Sequence, residues 1–290
     1  MENEDTITLG GNRNQEQPKI NNHQQATSVN PNISLPKEYI DTEFQVPTDE
    51  IELPSEGIFY PNKQKTVTVK YLTAEEENIL TTPELIQNGR VLDVLLEQAI
   101  IDKNLRPDNM ISGDRNKVLL SLRASGYGDD YTFKTKCPQC KADYKQTIKI
   151  STLSDRKLDI MPDLNGEFEI DLPKMRLNLK FRLLNGKDEV YLNKKAEQSK
   201  KAKNNVQFSN QLTERLLLQI MEVNGNRDKI FIKKVISNMP ISDSLFLRSY
   251  ISENETGVNM EKEFECTECG HTFEDTVPIT ATLFWPNAKI

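Results

Sequence analysis

Apolar and polar residues change their period several times along this chain, and each change marks an element. Residues 1–45 show no period: they are rich in Asn and Gln, hold no aliphatic cluster and contain Pro18, Pro31 and Pro36. Such a stretch cannot bury enough apolar surface to offset the entropy of ordering, so it reads as a disordered tail. Pattern begins at Val46. Ile51-Glu-Leu-Pro-Ser-Glu-Gly-Ile-Phe-Tyr-Pro mixes apolar and turn residues, and Thr66 to Leu72 alternates as a strand. Thr73-Ala-Glu-Glu is a capping box opening a helix that stops before Pro83. A second short helix starts at Thr82-Pro83, with Thr82 as its cap, and ends at Gly89. Val91 to Ile101 carries its apolar residues at helical spacing. Asp114 to Ser125 predicts another helix, with Val118, Leu119 and Leu122 inward and Gly126 and Gly128 as terminators.

The middle of the chain repeats the exercise. Tyr131 to Lys136 and Lys145 to Ile150 read as strands about a tight turn, and Phe168–Leu172 with Arg176–Leu184 reads as a hairpin broken at Asn185-Gly186. A lysine-rich polar helix follows to about Lys203. Its Lys194, Lys195, Lys200, Lys201 and Lys203 alternate with Glu197 and Gln198 and with no aromatic, which suits a solvated face better than a phosphate site. Leu212 to Val223 predicts an amphipathic helix stopped by Asn224-Gly225. Ile230–Ser237 and Asp243–Ser252 predict two more, the latter capped by Ser242 after Pro240. Glu263-Phe-Glu and His271 to Val277 close the chain as strands.

These elements predict an α+β fold, in which a helical N-terminal region and an α+β insertion are joined by a discontinuous zinc-ribbon-like site of four cysteines. The division is a tail at 1–45, a mainly helical region at 46–130, a first knuckle at 131–150, an inserted α+β domain at 151–260, and a second knuckle with a C-terminal anchor at 261–290. A chain of 290 residues is long enough for two domains or for one with a large insertion. The hydrophobic fraction of 36% is low, and residues 1–45 account for most of the shortfall.

Charge narrows the function classes. A net charge of −7 and a pI near 5.2 argue against a general nucleic-acid binder, which would show a basic stripe. No apolar run approaches the ~18 residues that span a bilayer. Met1-Glu-Asn-Glu-Asp lacks the basic and apolar regions of a secretory signal, so synthesis in a cytosol is expected.

The candidate chemistry lies in four cysteines, the complete set, arranged as Cys137-Pro-Gln-Cys140 and Cys266-Thr-Glu-Cys269. A C-x-x-C turn presents two thiolates from one loop, so each pair supplies half of a tetrahedral all-sulfur zinc site. The 125 residues between Cys140 and Cys266 exceed the ~15–20 of a local zinc module, so a shared site makes everything between the pairs an insertion clamped at its ends. Two redox-active pairs are the competing reading, but neither opens a helix after a strand in a βαβ pattern. Structural disulfides compete as well and suit an oxidising compartment. One zinc shared by Cys137, Cys140, Cys266 and Cys269 fits the pattern best. It would be structural, since four thiolates leave no open position for substrate. Of the two histidines, His23 lies in the tail, and His271 reads as a strand residue rather than a ligand. No P-loop, G-x-S-x-G or H-E-x-x-H is present, and neither an enzymatic role nor a small-molecule substrate is expected.

Several short motifs share one order with a known family. Leu53-Pro-Ser-Glu-Gly-Ile-Phe-Tyr, Leu72-Thr-Ala-Glu-Glu-Glu-Asn-Ile-Leu and Leu122-Arg-Ala-Ser-Gly-Tyr-Gly resemble its N-terminal half. Val223-Asn-Gly, Met239-Pro-Ile-Ser-Asp-Ser, the Phe264-x-Cys-x-x-Cys-Gly knuckle and Leu283-Phe-Trp-Pro resemble its C-terminal half. The family is the baseplate hub subunit of T-even-type contractile-tailed bacteriophages, and the resemblance covers roughly residues 50–287. It implies a structural and assembly role in the virion tail baseplate, made in the host cytoplasm, with other baseplate and tail proteins as partners in a symmetric multi-copy assembly. Neither membrane nor nucleic acid is expected as a partner. In that setting Phe284 is expected to pack inward and Trp285, the only tryptophan, to lie near a contact.

The alternative function is a zinc-ribbon nucleic-acid-binding or transcription-associated module. That reading calls for Arg and aromatic side chains on the knuckle strands. The strands instead carry Lys134, Lys136, Lys141 and Lys145 on one knuckle, and Glu261, Glu263, Glu265, Glu268, Glu274 and Asp275 on the other. Opposed charges of this kind are expected to attract the two knuckles to each other.

Overall fold

Two hydrophobic cores account for the order of the elements. The computed structural model describes residues 46–201 and 210–284, and of 199–201 and 281 the backbone alone. The tail at 1–45, Lys203 and Trp285 lie outside the described residues.

The first core starts from period-two strands. β1 (Thr48–Glu52) pairs antiparallel with β2 (Thr66–Lys70), and Ile51, Val67 and Val69 point inward. The turn between them needs a glycine at 57, where φ is +76° and a Cβ would lie 2.4 Å from the Gln64 carbonyl oxygen. α1 (Ala74–Thr81) carries the predicted capping box: Thr73 Oγ1 accepts the Glu75 N–H, and the Glu76 carboxylate accepts the Thr73 N–H at 2.9 Å. Glu76 is buried and pairs with Lys70 at 2.7 Å. α2 (Pro83–Gln87) follows, but Thr82 does not cap it. The Thr82 hydroxyl donates back to the Asn78 carbonyl at 2.8 Å, finishing the previous helix. α3 (Val91–Ala99) stops short of Ile101 because Ile100 bridges to Val69 and the Ile101 N–H donates to Thr68 O. α4 (Ser112–Tyr127) overruns its predicted end. Gly126 stays helical, and Gly128 alone, at φ +86°, terminates it.

Two hairpins extend from this core, β3 (Asp130–Lys136) with β4 (Asp143–Lys149), and β10 (Glu261–Glu265) with β11 (Thr272–Thr276). Short β5 (Asp155–Arg156) pairs with β9 (Gly257–Val258).

The second core belongs to the intervening segment. β6 (Glu167–Asp171), β7 (Asn178–Arg182) and β8 (Ile220–Val223) form an antiparallel sheet in the order β6-β7-β8. With it go α5 (Gly186–Lys201), α6 (Gln211–Gln219), α7 (Lys229–Ser237) and α8 (Ile241–Glu253). Phe168, Phe181, Leu216, Ile220, Ile232 and Leu247 are buried together.

Two expectations are corrected here. The predicted helix 212–223 is helix only to Gln219 and strand from Ile220: Ile220 and Val223 pair with Phe181 and Leu179, because β7 has a free edge that only this segment fills. Ser242 does not cap α8, whose N-cap is Pro240. The buried Asp243 in its first turn accepts the N–H groups of Lys174 and Met175 at 3.0 and 2.8 Å, so it serves the β6–β7 turn.

The cores meet where α4 begins. Ser112 N–H donates to Leu184 O, and Ile111 bridges to Asn185. Gly113 crosses β9 so closely that a Cβ there would stand 1.8 Å from the Thr256 carbonyl oxygen.

Candidate metal centre

Each hairpin ends in the same local structure. Cys137 N–H donates to Ala142 O, and Lys141 N–H donates to Cys137 O; at the other tip Cys266 N–H donates to His271 O, and Gly270 N–H to Cys266 O. The tight return requires a left-handed residue after the second cysteine. Gly270 takes it at φ +69° without a side-chain penalty, and Lys141 takes it at φ +63°. These turns aim two sulfurs apiece at a common point between the hairpins.

The four sulfurs meet although Cys140 and Cys266 are 126 positions apart. Cys137 Sγ lies 3.7 Å from Cys269 Sγ, Cys140 Sγ lies 3.7 Å from Cys266 Sγ, and all four fall within 4.8 Å of one another. Neither 3.7 Å separation is a disulfide, whose sulfurs sit ~2.05 Å apart. A tetrahedral ion with ~2.3 Å bonds to sulfur sets its ligands about 3.8 Å apart, so the spacing and the all-thiol donor set fit one metal ion. Cys137 and Cys266 are buried, and Cys140 and Cys269 face solvent. His271 is outside the sulfur cluster; its ring stacks on Phe273 at 6.0 Å between centroids.

Electrostatics points the same way. Burial raises the Cys137 thiol, but the N–H groups of Cys140 and Gln139 and the neighbouring thiols outweigh it and hold it at about 7. Cys140 and Cys269 each accept a backbone N–H, from Ala142 and His271, yet desolvation and the other sulfurs push both up, Cys269 to about 12. The cluster sheds its first proton readily and resists losing the rest, because each new thiolate repels the others. A divalent cation at the centre removes that resistance.

The hairpins dock through their apolar faces. Phe133 meets Phe264 edge-on at 5.8 Å, and Thr135 Oγ1 donates to Asp275 at 3.0 Å. Tyr144 is buried beside Cys137 and Cys266, where burial and then the sulfur charge raise its hydroxyl, which has no hydrogen-bond partner among the described residues. The expectation that opposed charges draw the knuckles together is not met. Among the described residues no ion pair joins those lysines to those glutamates. Strand alternation explains this: once Phe133 and Phe264 face each other, Lys134, Lys136, Lys145, Glu263, Glu265 and Glu274 must point outward, and all are exposed.

Among the buried charges not assigned from sequence, Arg123 and Asp114 tie together the most distant segments. Arg123 is 1% exposed, and its guanidinium donates to the carbonyls of Leu283 (2.7 Å), Asp130 (2.8 Å) and Gly128, tying α4 to the start of β3 and to the C-terminal segment. Asp114 is fully buried and accepts the Ser55 N–H, the Ser55 hydroxyl and the Tyr60 hydroxyl. Their partners lie up to 160 positions away, and the only signal in the sequence was a charge standing on an otherwise apolar helix face. Phe284 is buried against Tyr127, as expected of it.

Fold and site together point to a structural role: a mixed helix-and-sheet chain whose distant segments converge on a closed set of four sulfurs. The chain belongs to the T4 bacteriophage base plate protein family, which it matches over residues 48–285. Comparisons with curated proteins and with solved structures give no match. Membership places the protein in the tail baseplate of a phage virion, associated with other baseplate or tail proteins. Among the described residues no helix is long and apolar enough to cross a membrane.

Proposed function

We propose that this chain is a hub or hub-proximal structural subunit of the baseplate, present in several symmetric copies, whose fold is closed by one zinc. Cys137, Cys140, Cys266 and Cys269 would hold the ion as thiolates, and the ion would supply charge neutralisation and a cross-link with no open coordination position. The observation that carries the reading is the convergence of two distant C-x-x-C turns to sulfur separations of 3.7 Å in a member of a baseplate family. In this reading the division at 46–130, 131–150, 151–260 and 261–290 separates a core, two knuckles and an insertion. Synthesis in the host cytoplasm supplies the reducing conditions that keep four thiols available. The nucleic-acid reading is not favoured: the outer face of β3 and β4 offers lysines but no arginine and no aromatic on which a base could stack.

The test is a metal count on purified protein together with its position in isolated tails. One zinc per chain, with X-ray absorption showing four sulfurs near ~2.3 Å, is expected. Two ions, none, or a disulfide in either pair overturns the metal assignment, and absence from isolated tails overturns the hub placement.

A further inference from the structure

Packing the two hairpins by their apolar faces leaves two exposed faces on opposite sides of the pair, and these differ in sign. On β10 and β11 the outward positions are Glu261, Glu263, Glu265 and Glu274, accompanied only by Thr272 and Thr276. Glu263 and Glu274 are directly opposite across the ladder. On β3 and β4 the centre of the outward face is Lys134 directly opposite Lys145, flanked on one side by Lys136 opposite Asp143 and at the far end by Lys149 opposite Asp130, so the face is net basic with its basic pair at the centre. Like charges directly opposite each other destabilise a hairpin. Each hairpin carries one such pair, and among the described residues neither pair has an intramolecular counter-ion within 4 Å. The acidic pair and the basic pair therefore lack within the subunit what each would gain from the other.

We propose that the acidic face of β10–β11 in one copy docks on the basic face of β3–β4 in a second copy of this chain. The inference rests on the multi-copy reading above and names its surface. The two faces are different and complementary, so the contact is heterologous. Repeated, it runs head to tail and makes a ring where the rotation closes and a filament where it does not. Two features of the chain favour a second copy over an unrelated partner. Both halves of the contact stand on one pair of packed hairpins, and the complementary charge is supplied by the chain itself despite its overall acidity. Charged contacts of this kind set orientation and encounter rate more than affinity, so association should be weak and strongly salt-dependent.

The experiment is sedimentation of the full, metal-loaded chain over a range of concentrations at about 0.1 M and about 1 M salt, across which the Debye length falls from ~10 Å to ~3 Å. Concentration-dependent association at low salt, weakened about tenfold or more at high salt, is expected. K134E/K145E and E263K/E274K should each abolish it, and a 1:1 mixture of the two variants should restore it, as should the chain carrying all four substitutions. Metal content and circular dichroism verify that each variant is folded. Where a reversal variant fails to fold, K134T/K145T and E263T/E274T take its place, and each should weaken association. A chain that stays monomeric at every salt, or association untouched by folded variants, overturns the proposal. A monomeric chain that is still found in isolated tails overturns self-docking while leaving the baseplate reading intact; a self-associating chain absent from tails does the reverse.

Discussion

Arg123 shows how much one side chain holds. It reaches three carbonyl oxygens, two on the stretch from α4 to β3 and one at Leu283, and so joins two parts of the chain far apart in sequence. Burial also lowers its pKa, a sign that the charge is held in poor solvent. A lysine keeps the charge but presents a point donor on a single stem, so it cannot satisfy three acceptors in divergent directions. Arg123→Lys is expected to destabilise the protein by about 1–3 kcal/mol and to loosen the segment ending at Phe284. Urea denaturation of the metal-loaded protein reads the first effect, and hydrogen exchange at residues 277–284 reads the second. An unchanged midpoint would show that the carbonyls have other donors. The residue stands inside Leu122-Arg-Ala-Ser-Gly-Tyr-Gly, a stretch already notable in the sequence, yet its role was illegible there because its partner carbonyl at Leu283 is 160 positions away.

At the scale of elements, helix α1 was legible in full, since a capping box is a rule acting across four neighbouring residues. The segment 212–223 was not. Leu216, Ile220 and Val223 fall at spacings that suit a helix, and β-branched residues suit a strand as well, so only the open edge of β7 decides between them. The crossing of α4 and β9 is a second element-level contact, made possible by Gly113 and by Gly257 at φ +150°. Gly113→Ala puts a methyl group into backbone that cannot yield without moving β9, and with it the β5 pairing. The expected cost is about 1–3 kcal/mol despite the gain in helix propensity. Thermal unfolding measures it, and a variant as stable as the parent would show that the crossing is looser than the contact implies.

For the whole molecule, the sequence makes a metal the clamp between the knuckles, so that Cys266→Ser is expected from sequence to disorder the whole join between the halves while the helices at 91–101 and 212–223 survive. The structure adds other ties. Phe264, Val277, Leu283 and Phe284 are buried in the first core, and β5 pairs with β9. The expected outcome of Cys266→Ser, or of chelation, is therefore loss of the ion with protease cleavage at 137–142 and 266–271, while the first core and the three-stranded sheet persist. Cleavage spreading into α4 or β7 would show the metal to be the main clamp. Acid acts in the same direction. The folded state holds Cys137 at about 7, below the ordinary thiol value of 9.0. That contribution is fully present above the unfolded pKa and is lost as pH falls through about 7. Protons also compete with the metal for every thiolate, so chelator should strip the ion faster as pH falls. A stripping rate independent of pH would rule out thiolate ligation.

The sequence by itself determined what short-range rules determine. These are the helix that Thr73 caps, the alternation of the hairpin strands, and two C-x-x-C turns able to present four sulfurs. The tertiary structure decided which faces of those elements meet. Burying Phe133 against Phe264 gains more than pairing exposed lysines with glutamates, since surface ion pairs contribute little and apolar burial scales with area. The lysines and glutamates expected to draw the knuckles together were therefore turned outward. The same preference drew the C-terminal Leu283 and Phe284 into a core begun at Ile51, left Ile220 to complete a sheet rather than a helix, and set Arg123 on a carbonyl at the far end of the chain. Each of those outcomes depends on a surface that exists only once distant segments have been brought together.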